Sequence, residues 1–194
     1  MGNSVLYMSM SLDGFIAGPG DTPANPGGDG FMRLHDWFIG PDGEFGNVEG
    51  PARDVIEEMS DFGAIVAGRN TVEQVDHWGG ERNGGVRIFV PSHRPPAPSV
   101  AKYPKVSYVT DGIASAMAQA KKASGDRRVM VHGAYTAQTA LEAGVLDELQ
   151  IHQIPVLFGN GRRLFDILPD RIELDILKVV DTPEATHIRY RVHH

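Results

Sequence analysis

Residues 64–71 read Ala-Ile-Val-Ala-Gly-Arg-Asn-Thr, a stretch that predicts a short buried strand followed at once by a helix. Four apolar residues suit a strand better than a helix, and Gly68 then ends the apolar run. Asn70 and Thr71 each have a Glu or Gln three positions later, which is the spacing of a helix capping box. Strand, glycine turn and helix in this order are the unit from which parallel α/β sheets are built.

The same alternation continues on both sides of this stretch. Further strands are predicted at 5–10, 86–90, 106–109, 129–131 and 149–157, and helices at 51–62, 69–78, 113–123 and 136–143. Two last strands, 174–180 and 187–192, follow each other without a helix and predict a terminal hairpin. We therefore predict an α/β fold with a largely parallel sheet that ends antiparallel, built as one domain over residues 1–194.

Composition excludes several classes of function. The chain has no cysteine, which rules out thiolate nucleophiles, cysteine-ligated zinc and iron–sulfur clusters. The net charge of −7 argues against nucleic acid as a partner, because phosphate backbones bind basic faces. The histidines are scattered without an H-E-x-x-H pair, so we expect no metal site. With neither a long apolar run nor a basic N-terminal signal region, we expect no membrane association and a cytoplasmic location.

A long stretch rich in glycine, proline and aspartate runs from Gly18 to Gly50 and is interrupted only by the apolar segment 31–39. Loops of this length inside a compact domain are usually functional or mobile. We interpret the stretch as an active-site loop, and a surface insertion is the alternative.

Three strand ends carry groups suited to anions. Residues 68–71 open a helix and include the cation Arg69, residues 92–94 read Ser-His-Arg, and residues 133–136 place a glycine ahead of another helix. Helix N-termini and arginine forks both bind phosphate. An ordinary helix cap, a solvated loop and a tight turn are the alternatives at the three places. Together the three sites would suit a pyrophosphate and a 2′-phosphate, because open α/β sheets bind ligands at strand carboxyl ends. The Rossmann G-x-G-x-x-G pattern is absent.

Several segments in order resemble the dihydrofolate reductase-like family, in particular the C-terminal reductase domain of the bifunctional riboflavin-pathway deaminase–reductase. They are Ser-Leu-Asp-Gly-Phe-Ile-Ala at 11–17, Pro-Ala-Arg-Asp at 51–54, Gly-Arg-x-Thr-x-Glu at 68–73, Val-x-Ser-x-Arg-Pro at 90–95, Gly-Val-Leu-Asp-Glu-Leu at 144–149 and Pro-Val-Leu-x-Gly-x-Gly at 155–161. The resemblance implies a three-layer fold, with a mixed, mainly parallel sheet and helices on both faces.

The resemblance also implies NADPH as the hydride donor, held by residues from all three strand ends. The residues expected beside the nicotinamide are Ile16, Ala17 and Gly18. Those expected to hold the phosphates are Gly68, Arg69, Asn70 and Thr71, with Gly133, Ala134, Tyr135 and Thr136 at the pyrophosphate. Those expected at the 2′-phosphate are Ser92 and Arg94, with His93 as a helper.

The substrate side is less determined. Arg53 matches a substrate-contacting arginine of the riboflavin branch, and Asp13 is a second candidate for contact with the substrate. Asp54 stands near the acid of folate reductases, and His132 is a further candidate proton donor. A turn residue and a first-turn helix carboxylate are the alternative interpretations of Asp13 and Asp54.

Two departures from the family bear on the substrate. The third junction reads His132-Gly133-Ala134, where the riboflavin branch has an acid that touches substrate in place of the histidine. The zinc-deaminase motifs H-x-E and P-C-x-x-C are missing as well. We predict an NADPH-dependent reductase of a small heterocycle, of the 5-amino-6-(5-phosphoribosylamino)uracil reductase type. A dihydrofolate or pterin reductase, or a nucleotide-binding protein without turnover, is the alternative. The terminal strands predict edge-to-edge pairing into a homodimer.

Overall fold

The computed structural model of the protein describes residues 2–80, 82–166 and 168–194, with the backbone alone at position 83. Its strands are β1 (Ser4–Ser11), β2 (Phe15–Ala17), β3 (Phe62–Ala67), β4 (Arg87–Pro91), β5 (Val106–Val109), β6 (Arg128–His132), β7 (Glu148–Ile154), β8 (Arg162–Arg163), β9 (Leu174–Asp181) and β10 (Thr186–Val192). Its α-helices are α1 (Pro51–Glu57), α2 (Arg69–Gln74), α3 (Arg82–Gly85), α4 (Ile113–Ser124) and α5 (Ala134–Glu142).

Eight strands form one sheet in the order β5-β4-β3-β6-β1-β7-β10-β9. The six strands from β5 to β7 pair in parallel, and β10 pairs antiparallel with both β7 and β9. The mixed, mainly parallel sheet and the antiparallel terminal hairpin are therefore confirmed. The short strands β2 and β8 form a separate pair beside the sheet.

Helices cover both faces of the sheet, as the three-layer prediction requires. On one face α4 and α5 pack on Leu6, Val66 and Val131. On the other face α1, α2 and the segment 31–38 pack on Val5, Ile65 and Met130. Neighbouring residues of β1, β3 and β6 thus point into two different cores. This arrangement explains why these strands read as continuous apolar runs instead of alternating ones.

Two predicted helices are shorter than the sequence suggested. The helix predicted at 51–62 ends at Glu57, and Glu58–Asp61 form a 3-10 helix. The helix predicted to reach Trp78 ends at Gln74, and the chain then makes a left-handed turn. Asp76, His77 and Trp78 have φ angles of 43°, 57° and 49°, a region that non-glycine residues rarely adopt. Gly79 and Gly80 continue the turn with positive φ. The reversal carries Trp78 toward the carboxyl ends of the strands.

The segment 31–38 is a 3-10 helix anchored in the core by Trp37. Its indole nitrogen donates to Ser9 Oγ at 2.9 Å, and its ring stacks on His152 with centroids 4.3 Å apart. His152 of β7 in turn shares a hydrogen bond with His187 of β10, with 2.7 Å between their Nδ1 atoms. A buried imidazole pair therefore supports the back of this segment. No helix in the described part of the chain is long and apolar enough to cross a membrane.

Candidate active site

The three predicted anion sites meet at one edge of the sheet. Ala67 and His132 are partners in the parallel register of β3 and β6, so the glycines that follow them, Gly68 and Gly133, stand side by side. Ser92 follows the neighbouring strand β4. Parallel strands bring their carboxyl ends to a common edge, and three separate sequence motifs become one surface for this reason.

This surface is one wall of a cleft of about 480 Å³. The predicted residues that line it are Ile16, Ala17, Gly68, Arg69, Asn70, Thr71, Ser92, His93, Arg94, His132, Gly133, Ala134, Tyr135 and Thr136. A cleft of this volume is in the range that holds a small molecule or cofactor. The structure thus brings together nearly all of the predicted cofactor set.

Gly133 and Thr136 fit a phosphate group at the start of α5. Gly133 has a φ of 98°, a conformation that L side chains rarely adopt, and a side chain there would come 3.1 Å from Thr71 Oγ1. Thr136 is 1% exposed, and its hydroxyl oxygen has no hydrogen-bond partner among the described residues. An open backbone turn, a helix N-terminus and an unpaired hydroxyl together make a suitable cradle for a phosphate.

Arg69 organises the neighbouring loop. Its Nε lies 2.8 Å from Glu73 Oε1, and its Nη1 donates at 3.2 Å to Ser92 Oγ and to the carbonyl oxygens of Arg94 and Pro95. Most of the N–H groups of this guanidinium therefore point at protein acceptors, and few are left for a ligand. By contrast, the side chain of Arg94 is exposed and forms no ion pair with the described residues, which leaves its guanidinium available to a ligand.

The glycine-rich loop closes over the cleft through Asp21. One carboxylate oxygen accepts from Gln74 Nε2 at 2.9 Å and from the Gly27 backbone N–H at 3.0 Å, and the other lies 3.5 Å from Arg162 Nε. Asp21 thus ties the loop to α2 and to β8. Gly18 lines an adjoining groove instead of the cleft itself, and a side chain there would collide with the Asp29 carbonyl.

Three of the predicted substrate and catalytic residues do not line the cleft. Arg53 and Asp54 lie on α1, where both are exposed and Arg53 pairs with Glu57 at 2.9 Å. Asp13 accepts hydrogen bonds from Ser11 Oγ and from the backbone N–H groups of Phe158 and Gly159. These bonds, the one from Ser11 first, lower the pKa of Asp13 to about 2. Asp13 therefore secures the turn after β1, as its alternative interpretation stated.

His132 does line the cleft, and its surroundings keep the ring neutral. Burial, followed by the nearby cation Arg82 and by His35, lowers the pKa of His132 to about 3. Near neutral pH the ring therefore carries no positive charge. A role as a proton donor stays a prediction, and it would have to use a neutral N–H.

The inner wall of the cleft was not predicted from the sequence. It consists of Phe31, His35, Phe38, Trp78 and Arg82. Arg82 stacks over the Trp78 ring with its central carbon 4.6 Å from the ring centroid. The apolar interruption at 31–39 marked the first three as a unit inside a long loop. No local pattern in the sequence places Trp78 or Arg82 at this wall, because the left-handed turn brings them there.

The described residues contain no cluster of three or more acidic or histidine side chains able to hold a metal ion.

Solved structures with the same fold come from several bacteria. A protein of Shewanella sp. PV-4, described as a riboflavin biosynthesis protein, aligns over 100% of both chains with 24% identity and a TM-score of 0.77. A pyrimidine reductase-like protein of Corynebacterium diphtheriae aligns over 100% of this chain and 92% of its own, with 13% identity and a TM-score of 0.62.

A further solved structure with this fold belongs to a larger protein whose name gives two activities. The diaminohydroxyphosphoribosylaminopyrimidine deaminase/5-amino-6-(5-phosphoribosylamino)uracil reductase of Thermotoga maritima is 15% identical, with a TM-score of 0.60. The alignment covers 99% of this chain but only 57% of that protein. No curated protein is significantly similar in sequence. The model of the RibD C-terminal domain matches residues 5–188, so the chain belongs to the RibD C-terminal domain family, and this membership supports its assignment as an oxidoreductase.

Proposed function

We propose that this protein is an NADPH-dependent reductase that delivers a hydride to a small heterocyclic substrate. The observation that carries the proposal is the convergence of three phosphate-suited strand ends on one cleft of about 480 Å³. A dinucleotide with an additional 2′-phosphate needs sites of this kind close together. Membership of the family supports the reaction class, and the phosphate-suited groups around the cleft support the choice of cofactor.

The chain's residues divide the work of holding that cofactor. The backbone turn at Gly133 and the hydroxyl of Thr136 would hold the pyrophosphate, and Arg94 with Ser92 would hold the 2′-phosphate. Ile16 and Ala17, from the small strand β2, would line the nicotinamide side. The cofactor supplies the hydride when it is bound, while the protein orients the reactants and excludes water. Asp21 serves this exclusion by tying the loop across the cleft.

The substrate we propose is of the 5-amino-6-(5-phosphoribosylamino)uracil type. The name of the T. maritima relative and the family model support a pyrimidine over a pterin. In folate reductases an acid serves as proton donor, and Asp54, which stands near that position in the sequence, does not line the cleft of this chain. The only carboxylate among the described lining residues is Asp21, which is engaged in holding the loop. This makes a pterin substrate the second candidate.

A titration of the purified protein with NADPH and, in parallel, with NADH tests the cofactor assignment. Enhanced nicotinamide fluorescence with a clear preference for NADPH is the expected result. Consumption of NADPH is then followed with 5-amino-6-(5-phosphoribosylamino)uracil and with dihydrofolate as alternative acceptors. NADPH binding without turnover of any heterocycle would favour the nucleotide-binding alternative, and binding of neither cofactor would overturn the proposal.

We also propose that the protein is a cytoplasmic homodimer. The dimer would form through β9, an edge strand that pairs only with β10 in the described sheet. Apolar side chains on β9 are exposed, among them Ile176 at 66% and Val179 at 54%. A bare edge with apolar neighbours is a template for another strand, and a second copy pairs with it about a twofold axis. A reducing cytoplasm suits a chain without cysteine.

A further inference from the structure

A small inner pocket of about 70 Å³ lies beneath the cleft, between β1 and the segment 31–38. Its walls are mostly apolar, with Met8, Ile16 and Phe38 among them. The polar lining residues are Tyr7, Ser9, His35, Arg82 and His132, and the last three also line the main cleft. Ser9 Oγ accepts from the Trp37 indole nitrogen, and His35 Nδ1 lies 3.2 Å from the Phe31 carbonyl oxygen. The inner pocket therefore adjoins the cleft in which the proposed reaction would take place.

Three of the polar lining residues, Tyr7, Arg82 and His132, each present a buried polar atom without a partner among the described residues. Tyr7 Oη, Arg82 Nε and His132 Nδ1 have no hydrogen bond within the described residues. Buried polar groups in native proteins are nearly always paired, so three such atoms on the same small pocket call for an explanation. A ligand group that hydrogen-bonds all three would satisfy them together.

The charge of the inner pocket selects the kind of group. Arg82 forms no ion pair with any described residue, and its charged group is stacked on the Trp78 ring. No carboxylate lines the inner pocket. Burial raises the pKa of Tyr7, so the hydroxyl keeps its proton as a donor. His132 is neutral for the reason given above. The pocket thus offers donors and one positive charge.

We propose that the inner pocket is a specificity site for an oxygen-bearing, singly negative end of the substrate, such as a carboxylate or an enolate oxygen. Tyr7 and Arg82 would donate to it, and the neutral His132 would contact it as a third hydrogen-bonding group. As a statement about the substrate this rests on the proposed reductase function. For a substrate of the proposed uracil type, this group would be a ring oxygen in its enolate form.

Size agrees with this assignment. A cavity needs roughly 10–15 Å³ to hold one water, so about 70 Å³ holds a carboxylate-sized group but not a whole ring system. The remainder of the substrate would lie in the cleft, between the aromatic rings of Phe31, Phe38 and Trp78. A planar ring bearing a short anionic end satisfies both volumes.

Benzoate, benzamide and benzamidinium form a matched set of probes, since they share a ring and differ in the charge of the end group. Binding is measured by ligand-observed NMR, with the fluorescence of Trp78 and Trp37 as a second readout. We expect benzoate to bind at least about tenfold more tightly than benzamidinium, because one charge-assisted hydrogen bond changes an affinity by about this factor. Equal affinities of the wild type for the two probes would overturn the proposal.

Variants assign the preference to the inner pocket. We expect Arg82→Met to weaken benzoate at least about tenfold and Tyr7→Phe to weaken it about fivefold. His132→Glu should reverse the order, so that benzamidinium binds better than benzoate. Arg33→Met is the matched control, because Arg33 lies on the segment 31–38 but pairs with Asp36 outside both cavities. Unchanged benzoate binding in Arg82→Met would place the anion elsewhere and contradict the proposal.

The test also separates this inference from the reductase function. NADPH affinity is measured for each variant, and we expect it unchanged in Tyr7→Phe, which alters only the inner pocket. Benzoate selectivity without NADPH binding would refute the cofactor assignment and leave the anion site intact. NADPH binding without benzoate selectivity would do the reverse. If Arg82→Met does not fold, as thermal melting would show, Tyr7→Phe and His132→Glu still decide the question.

Discussion

A side-chain carbon on Gly68 would lie 2.8 Å from Oγ1 of Thr136, closer than real Cβ atoms approach another heavy atom. The φ angle of Gly68 is −66°, which any residue adopts, so space rather than backbone conformation requires the glycine. The turn after β3 therefore packs directly against the first turn of α5. Two phosphate-suited elements that lie far apart in the sequence are held at a fixed separation by this contact.

Gly68→Ala should disturb the cofactor site because the added methyl group would push Thr136 away. We expect NADPH affinity to fall about tenfold and the free energy of unfolding to fall by about 1–3 kcal/mol, the usual cost of overpacking. Fluorescence titration measures the first quantity and urea denaturation the second. Unchanged affinity would show that the Thr136 hydroxyl does not contact the cofactor.

Arg94→Ala should weaken NADPH far more than NADH. The Arg94 guanidinium is exposed and free of ion pairs within the described residues, and only NADPH has the 2′-phosphate that it would bind. We expect a loss of at least about tenfold for NADPH and about twofold or less for NADH. Arg171→Ala is the control, since it removes an equal charge from an arginine that is 87% exposed and pairs with Glu173 outside the cleft. Equal losses of affinity for the two cofactors would show that Arg94 does not bind the 2′-phosphate.

The protein should lose stability as the pH falls below about 6.5. Burial first, and then the neighbouring His187, holds the pKa of His152 well below its usual value of 6.5. Burial lowers that of His187 to about 4. The unfolded chain then binds more protons than the folded one, so stability is complete above pH 6.5 and declines as the pH falls toward 4. Each histidine contributes a slope of up to about 1.4 kcal/mol per pH unit.

Urea denaturation at a series of pH values from neutral to 4.5 measures this slope. His187→Asn removes one titrating group, and we expect it to flatten the pH dependence by as much as about one histidine's share. His193→Asn is the matched control, because this histidine is about half-exposed near the chain end and pairs with Asp175. A slope that is identical in His187→Asn and the wild type would mean that the buried pair does not titrate on unfolding.

Negative charges on β9 should dissociate the proposed dimer into monomers. The double variant Ile176→Asp/Val179→Asp places two carboxylates on the strand that we propose as the interface, and we expect a monomer by light scattering. Leu157→Asp is the control, because Leu157 is 70% exposed but lies outside the sheet. A wild-type protein that is already monomeric at micromolar concentration would contradict the proposal.

Much of the fold followed from local patterns. The apolar runs at 64–67 and 129–131 predicted central strands, because residues of a parallel sheet are buried on both faces. Gly144 directly follows the helix predicted at 136–143 and has a positive φ, the left-handed conformation that glycine readily takes after a helix. The wall of the cleft that the strand ends form was equally predictable. Strand ends followed by Gly68, Ser92 and Gly133 must meet at one edge wherever the strands are parallel.

The substrate side depended on contacts that no local pattern encodes. The left-handed turn through Asp76, His77 and Trp78 defeats the helix that local propensity favours, and it brings Arg82 to the inner wall of the cleft. Asp13, Arg53 and Asp54 drew attention through their neighbours in sequence, but the structure gives Asp13 and Arg53 partners outside the cleft and leaves Asp54 exposed. The sequence by itself determined most of the strands and helices along the chain and the strand ends that meet at the cleft, because periodicity and glycine turns are short-range properties. Only the tertiary structure decided which charges remain unpaired in the cleft, because pairing depends on distances between residues remote in the chain.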